Sequence, residues 1–235
     1  MTQPAQGRRQ FLKVVALVPA VSLPLAGVQG AVGSRAAAPA PTYFTDVELA
    51  FVEAAISRLI PADELGPGAK EAGVAVFIDR QLAGPYGRAE TWYMQGPWPK
   101  GEPEQGYQLR IGPAELYRKA IAAIDEYCRS AFQAKSFVQL DAAAQEKLLH
   151  ALEKGEVELD GPPAKQFFEI LWSNTQEGFL ADPQYGGNRG FAGWKLIGFP
   201  GPRYNYVDHI ERYGERYTEP PVGLLGRDPD RKGTA

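Results

Sequence analysis

Apolar side chains recur at three- and four-residue intervals in five separate stretches of this chain, and no stretch alternates them in strand fashion. That spacing puts an apolar stripe on each of five helices and leaves nothing to pair into a sheet. The predicted class is all-α, a single domain of five main helices with two long Gly/Pro/aromatic-rich loop segments. Thr45-Asp46-Val47-Glu48 is a capping-box sequence ahead of Leu49, Val52, Ile56 and Leu59, and Pro61 ends that first helix. Residues 70–82 read as a second helix, carrying Val74, Phe77, Ile78 and Leu82. Gly112-Pro113 opens a third, from Ala114 to Phe132, with Leu116, Ala120, Ile124, Tyr127 and Ala131 on one face and Cys128 beside it. Asp141 caps a fourth, through Leu148, Leu149 and Leu152 to Gly155. Pro162-Pro163 opens a fifth, reaching Phe179, and Val207–Tyr213 has the pattern of a further short helix.

Two segments break the periodicity. Residues 84–112 interleave glycine and proline with Tyr86, Trp92, Tyr93, Trp98 and Tyr107. A loop of that length with that many aromatics is usually functional. From Asp182 onward the chain is again rich in glycine and aromatics, among them Tyr185, Phe191, Trp194, Phe199, Tyr204 and Tyr206. Such a cluster either packs beneath loops or forms a partner surface, since interfaces favour Tyr, Trp and Arg.

The amino-terminal segment carries an address. Arg8-Arg9-Gln10-Phe11-Leu12-Lys13 precedes an apolar run from Val14 to Val28 and a small-residue stretch from Gly30 to Ala40. This is the layout of an export signal. Arg8, Arg9, Phe11, Leu12 and Lys13 match the twin-arginine (Tat) core, with Gly7 in place of the usual hydroxyl residue. The run is broken by Pro19 and Pro24 and is too short to span a bilayer. The expectation is a periplasmic protein carried across the inner membrane already folded. The expected organisation is a signal over residues 1–36, a linker over 37–44, the helical domain over 45–225 and a flexible tail over 226–235.

Charge and chemistry narrow the function. Net charge is -3, and the first 36 residues hold four of the basic side chains and no acid, so the rest is more acidic still. An acidic chain without a basic patch argues against nucleic acid and against docking to anionic lipid. The single cysteine, Cys128, excludes an internal disulfide, a CxxCH haem site and cysteine-based metal centres. Cys128 is then either a buried thiol or one half of an intersubunit disulfide, which the periplasm permits. Gly186-Gly187-Asn188-Arg189-Gly190 lacks the spacing and the preceding strand of a dinucleotide loop, and reads as tight turns. Asp208 and His209 are adjacent, but no nucleophile motif accompanies them. No catalytic, cofactor-binding or metal residues are assigned.

The sequence from Gly178-Phe179-Leu180-Ala181-Asp182-Pro183 through Gln184-Tyr185-Gly186-Gly187-Asn188-Arg189, continued by Gly193-Trp194-Lys195-Leu196-Ile197-Gly198-Phe199-Pro200-Gly201, resembles the signature of the gluconate 2-dehydrogenase subunit 3 (gamma chain) family. Gly106-Tyr107-Gln108 with Pro113–Arg118, and the first helix ending in Leu59-Ile60-Pro61, are similar to other parts of that family. The resemblance implies an accessory subunit that holds no flavin. Its implied partners are a large FAD-dependent flavoprotein of the glucose–methanol–choline type and a multihaem cytochrome c subunit. It also implies that the small chain supplies the signal recognised by the Tat translocase, and that membrane association comes through the complex. Substrates across the family include gluconate, other sugars and sugar acids, sorbitol and fructose.

On this reading the partner-binding residues are Trp92, Trp98, Tyr107, Tyr185, Gly186, Gly187, Asn188, Arg189, Trp194, Lys195, Phe199 and Pro200. Two other classes of function compete with it. A stand-alone exported hydrolase would use Asp208 and His209, and a carbohydrate-binding protein would use Trp92 and Trp98 as stacking platforms.

Overall fold

The computed structural model describes residues 40–99, 101–102 and 105–226. Arg8, Arg9, Phe11, Leu12 and Lys13, with the rest of the expected signal and residues 227–235 of the expected tail, lie outside the described residues. Within them the chain is helical. The elements are α1 (Asp46–Leu59), α2 (Val74–Ala83), α3 (Pro113–Ala131), α4 (Ala142–Lys154), α5 (Ala164–Leu180) and α6 (Ala192–Ile197), joined by short 3-10 turns. No strand occurs among the described residues, where only two isolated bridges, Asp63 with Gly66 and Gly223 with Gly226, are present.

The helix ends follow from local chemistry. Thr45 and Glu48 form the reciprocal box at the start of α1. The Glu48 N–H donates to Thr45 Oγ1 at 3.3 Å, and the Thr45 N–H donates to Glu48 Oε2 at 2.8 Å. Pro113 is the first residue of α3, where its missing N–H costs nothing. Asp141 Oδ1 accepts from the Ala144 N–H at 2.8 Å, and Gly155 closes α4 with φ 70°.

Helix α5 is the hub and packs against each of the other five helices. Phe167 and Leu171 are fully buried on it, facing Phe51, Ile56, Tyr117 and Leu152 in one continuous core. Phe51, Phe137 and Phe167 form a run of tilted ring pairs, and Tyr117 meets Phe167 edge-on.

Several boundaries differ from the sequence expectation. Helix α2 starts at Val74 rather than residue 70, because Gly73 adopts a left-handed φ of 76° that an α-helix cannot contain. Helix α5 starts at Ala164, after Pro163. The buried face of α3 is Leu116, Tyr117, Ala120, Ile121, Ile124 and Cys128, whereas Tyr127 is half-buried and Ala131 exposed. The stripe therefore follows i, i+4 rows through Cys128, not the expected line through Tyr127. The helix expected over Val207–Tyr213 is a single 3-10 turn, Val207–His209, and α6 was not anticipated.

Two buried carboxylates organise chain entry and a connection. Asp79 on α2 accepts from three successive backbone N–H groups, with Oδ2 taking Thr42 at 2.6 Å and Oδ1 taking Tyr43 and Phe44, each at 2.9 Å. That carboxylate holds the segment leading into α1 against the core. Asp125 on α3 accepts from the Phe137 N–H at 2.9 Å and fixes the turn before α4.

Candidate partner-binding surface

The glycine-rich segment after α5 is a packing device. Gly187 lies on the backbone of α5, where a β-carbon would stand 2.1 Å from the Gly178 carbonyl oxygen. Gly178 is itself filled over by Phe77 and Val74 of α2. Gly193 meets the Phe179 carbonyl in the same manner. Glycine at these positions lets α6 and its leading turns sit directly on the end of α5.

Asn188 holds that arrangement together. It is buried and left-handed (φ 48°). Its Nδ2 donates to the Ala181 carbonyl at 2.8 Å, and its Oδ1 accepts from the Gly193 N–H at 2.9 Å. One side chain thus ties the end of α5 to the start of α6. Asparagine suits the site because it tolerates left-handed backbone and offers both a donor and an acceptor. The Arg189 N–H donates to the Ala72 carbonyl at 3.0 Å, and the Arg189 side chain covers Gly73. The segment therefore also locks the turn that precedes α2.

Trp194 completes the unit. It is 4% exposed, stacks on Phe191 at 5.2 Å, meets Phe199 edge-on at 5.0 Å and donates from Nε1 to the Leu180 carbonyl at 2.7 Å. Phe191 adopts a left-handed φ of 56°, unusual for a bulky residue. Gly186, Gly187, Asn188 and Trp194, read from the sequence as partner contacts, are buried by their own chain. Arg189 and Pro200 are partly covered. The side chains of this segment that reach the surface are Tyr185, Lys195 and Phe199. Leu196 and Ile197 stand exposed beside them.

The first long loop is also built inward. Trp92 is half-buried, with Tyr86 and Tyr107 edge-on at 5.7 and 4.9 Å. Tyr107 donates its hydroxyl to the Ile111 carbonyl at 2.6 Å. Tyr86 donates to Asn174 Oδ1 at 2.9 Å, and Asn174 Nδ2 donates to the buried Tyr117 hydroxyl at 3.1 Å. Burial pushes the Tyr86 hydroxyl up to about 12 and also raises those of Tyr107 and Tyr117. The Tyr86 bond to Asn174 braces the loop against α5, and Asn174 links it on to Tyr117 of α3. Trp98 is half-buried. Trp92, one of the two platforms of a sugar-binding reading, is thus partly packed against aromatic neighbours of the same chain.

Cys128 has no exposed surface. Burial is the main cause that pushes its thiol up to about 12, with Asp125 adding to the shift. A partner cysteine cannot reach that sulfur without opening α3, so the structure supports the buried-thiol alternative. His209 lies against the Tyr217 ring at 4.9 Å, and Asp208 is exposed. Among the described residues, no three or more His, Cys, Asp or Glu side chains gather in a metal-binding group. No described helix is long and apolar enough to cross a membrane.

The sequence reading missed Asp79 and Asp182. Asp79 lies within α2 and Asp182 precedes Pro183, and nothing in either setting reveals the backbone partners. Asp182 Oδ1 accepts from the Gln184 N–H at 3.1 Å, and Oδ2 accepts from the Leu224 N–H, distant in sequence, at 2.7 Å.

Comparison with known proteins agrees with this architecture's signature segment. The sequence model of a family described as gluconate 2-dehydrogenase subunit 3 matches residues 46–201, more than half of the chain. Neither a curated protein nor a solved structure matches it.

Proposed function

The chain belongs to the gluconate 2-dehydrogenase subunit 3 family, which makes it an accessory subunit of such a complex, and from that premise we propose that it escorts an FAD-dependent sugar or sugar-acid dehydrogenase through the Tat pathway and stabilises it in the periplasm. The observation that carries the reading is the family match over residues 46–201 joined, in one chain, to the Arg8-Arg9 motif. The flavin belongs to a glucose–methanol–choline-type large subunit and haem c to a cytochrome subunit. This chain supplies fold, address and contact surface. Membrane association comes through the assembled complex.

The structural features support the division of labour. Asn188 and Trp194 of the glycine-rich segment are engaged in internal hydrogen bonds. Outside stand Tyr185, Leu196, Ile197 and Phe199 with Lys195 among them, a largely apolar and aromatic surface of the kind that protein partners recognise.

The test is co-export. Arg8→Lys combined with Arg9→Lys, expressed with the large subunit, is expected to strand dye-linked dehydrogenase activity in the cytoplasm. Undiminished periplasmic activity with the double variant would overturn the escort role.

A further inference from the structure

Ahead of the Thr45 cap, Thr42, Tyr43 and Phe44 are bound to the helical body at several points. Their successive N–H groups all donate to the Asp79 carboxylate of α2, at 2.6, 2.9 and 2.9 Å. The Tyr43 hydroxyl donates to the Ala114 carbonyl of α3. Arg118, one turn further along α3, donates to the Tyr43 carbonyl at 3.1 Å and lies 4.6 Å over its ring. It also pairs with Glu48 of α1 at 3.4 Å. The Phe44 ring is buried and meets the buried Tyr117 at 5.9 Å. These three residues form a strap that closes only when α1, α2 and α3 are packed together.

The strap exceeds what a helix start requires, because the box of Thr45 and Glu48 already caps α1. Asp79 is 3% exposed, and its hydrogen-bond partners are the three strap amides. A buried carboxylate stripped of its donors is costly. Letting go of one amide weakens the site for the others, so the strap is either tied or open. The tied state is a property of the packed body and not of the local sequence.

In sequence the strap is the junction between that body and the segment that carries Arg8-Arg9. When it is tied, Phe44 is covered right up to the junction. When it is open, Tyr43 and Phe44 become exposed apolar chain beside the signal, the mark of an unfolded protein that cellular quality control acts on. We propose that the strap gates export: the Tat signal is accepted when Thr42–Phe44 are tied and refused when they are open, so a body whose α2 and α3 have not packed stays in the cytoplasm. This rests on the Tat reading above and goes beyond it, because it names the residues of the body that decide when the signal works.

The experiment uses the full-length chain with its signal, co-expressed with the large subunit, as wild type, Asp79→Ala, Arg118→Ala and Leu152→Ala. Hydrogen exchange at the Thr42, Tyr43 and Phe44 amides reads the strap, urea unfolding reads the body, and the periplasmic share of the chain reads export. Asp79→Ala is expected to speed exchange at those amides about tenfold or more and to lower the exported share about threefold or more. Arg118→Ala removes a half-exposed side chain, so the body stays folded, and it is expected to act in the same direction. Leu152 is fully buried on α4, away from the strap, and Leu152→Ala is expected to lower the urea midpoint at least as far while exporting as wild type does. Wild-type export of both strap variants despite faster exchange overturns the gate and leaves the Tat reading standing. Equal loss of export by Leu152→Ala assigns the effect to overall stability and also overturns the gate, as does unchanged exchange in Asp79→Ala. A wild-type chain that never leaves the cytoplasm overturns the Tat reading itself.

Discussion

A β-carbon on Gly187 would stand 2.1 Å from the carbonyl oxygen of Gly178, so the two glycines bring a loop and a helix into backbone contact. The blocking atom is backbone, which cannot rotate away. Gly187→Ala is therefore expected to lower the stability of the free chain by about 1–3 kcal/mol, read as a fall in the midpoint of urea unfolding. An unchanged midpoint would show that α6 can lift from α5 at no cost.

Asn188→Ala removes both the bond to Ala181 and the bond from Gly193 and leaves a left-handed alanine. Loss of buried partners on that scale costs about 1–3 kcal/mol. Asn188→Asp keeps an acceptor for Gly193 and loses the donor to Ala181. Its second carboxylate oxygen then faces the Ala181 carbonyl oxygen in a buried site, so this variant is expected to be at least as destabilised as Asn188→Ala in the same unfolding experiment.

Trp194→Ala separates an interface residue from a core residue. The ring is buried between Phe191 and Phe199, so truncation is expected to cost about 3–5 kcal/mol of the chain's own stability. Phe199→Ala removes a ring that is 41% exposed and is expected to cost less. Calorimetry of the isolated chain gives the comparison. Equal melting temperatures for Trp194→Ala and wild type would return Trp194 to the partner surface.

Asp79→Asn keeps Oδ1 for the Tyr43 and Phe44 N–H groups but sets an amide N–H₂ against the Thr42 N–H. The expected loss is about 1–3 kcal/mol, with earlier proteolytic cleavage near Thr42. Cleavage at the wild-type rate would show that the segment is held by something other than Asp79.

Alkaline pH should unfold the chain through groups that burial keeps neutral. Burial lifts Cys128 from 9.0 to about 12 and Tyr86 from 10.0 to about 12. A raised folded value means stability is fully present below the unfolded value and drains away as pH rises toward the folded one. The drain starts near pH 9 for Cys128 and near pH 10 for Tyr86. Its slope is about 1.4 kcal/mol per pH unit for each group that ionises only on unfolding. Cys128→Ala should flatten the pH 9–10 part of a stability profile measured by urea unfolding. A profile identical to wild type would show that the thiol is accessible in the folded chain.

Five of the six helices were legible because their information is local. Thr45 with Glu48, Pro113, Asp141 and Gly155 mark ends through contacts within a few residues, and the apolar spacing sets which side turns inward. Helix α6 was illegible for the same reason in reverse. Ala192–Ile197 is too short to show a period, and it is held by Asn188 and by the end of α5 rather than by its own propensity. The turn at Gly73 escaped notice because neither its left-handed φ of 76° nor the Arg189 side chain that lies where a β-carbon would stand is visible in the local pattern.

What the sequence determined alone was the all-α class, most helix termini and the family-like signature from Gly178 to Gly201. Only the tertiary structure decided which aromatics of that signature are inside. Trp194 and Phe199 are five residues apart and chemically alike, yet one is buried and the other is 41% exposed. Phe191 stacks on the Trp194 ring and the Leu180 carbonyl accepts its indole N–H, whereas Phe199 meets that ring edge-on and stays partly open to solvent. Periodicity reports which face of an element is apolar, but exposure depends on which distant atoms arrive to cover it, and that is settled only when the chain has packed.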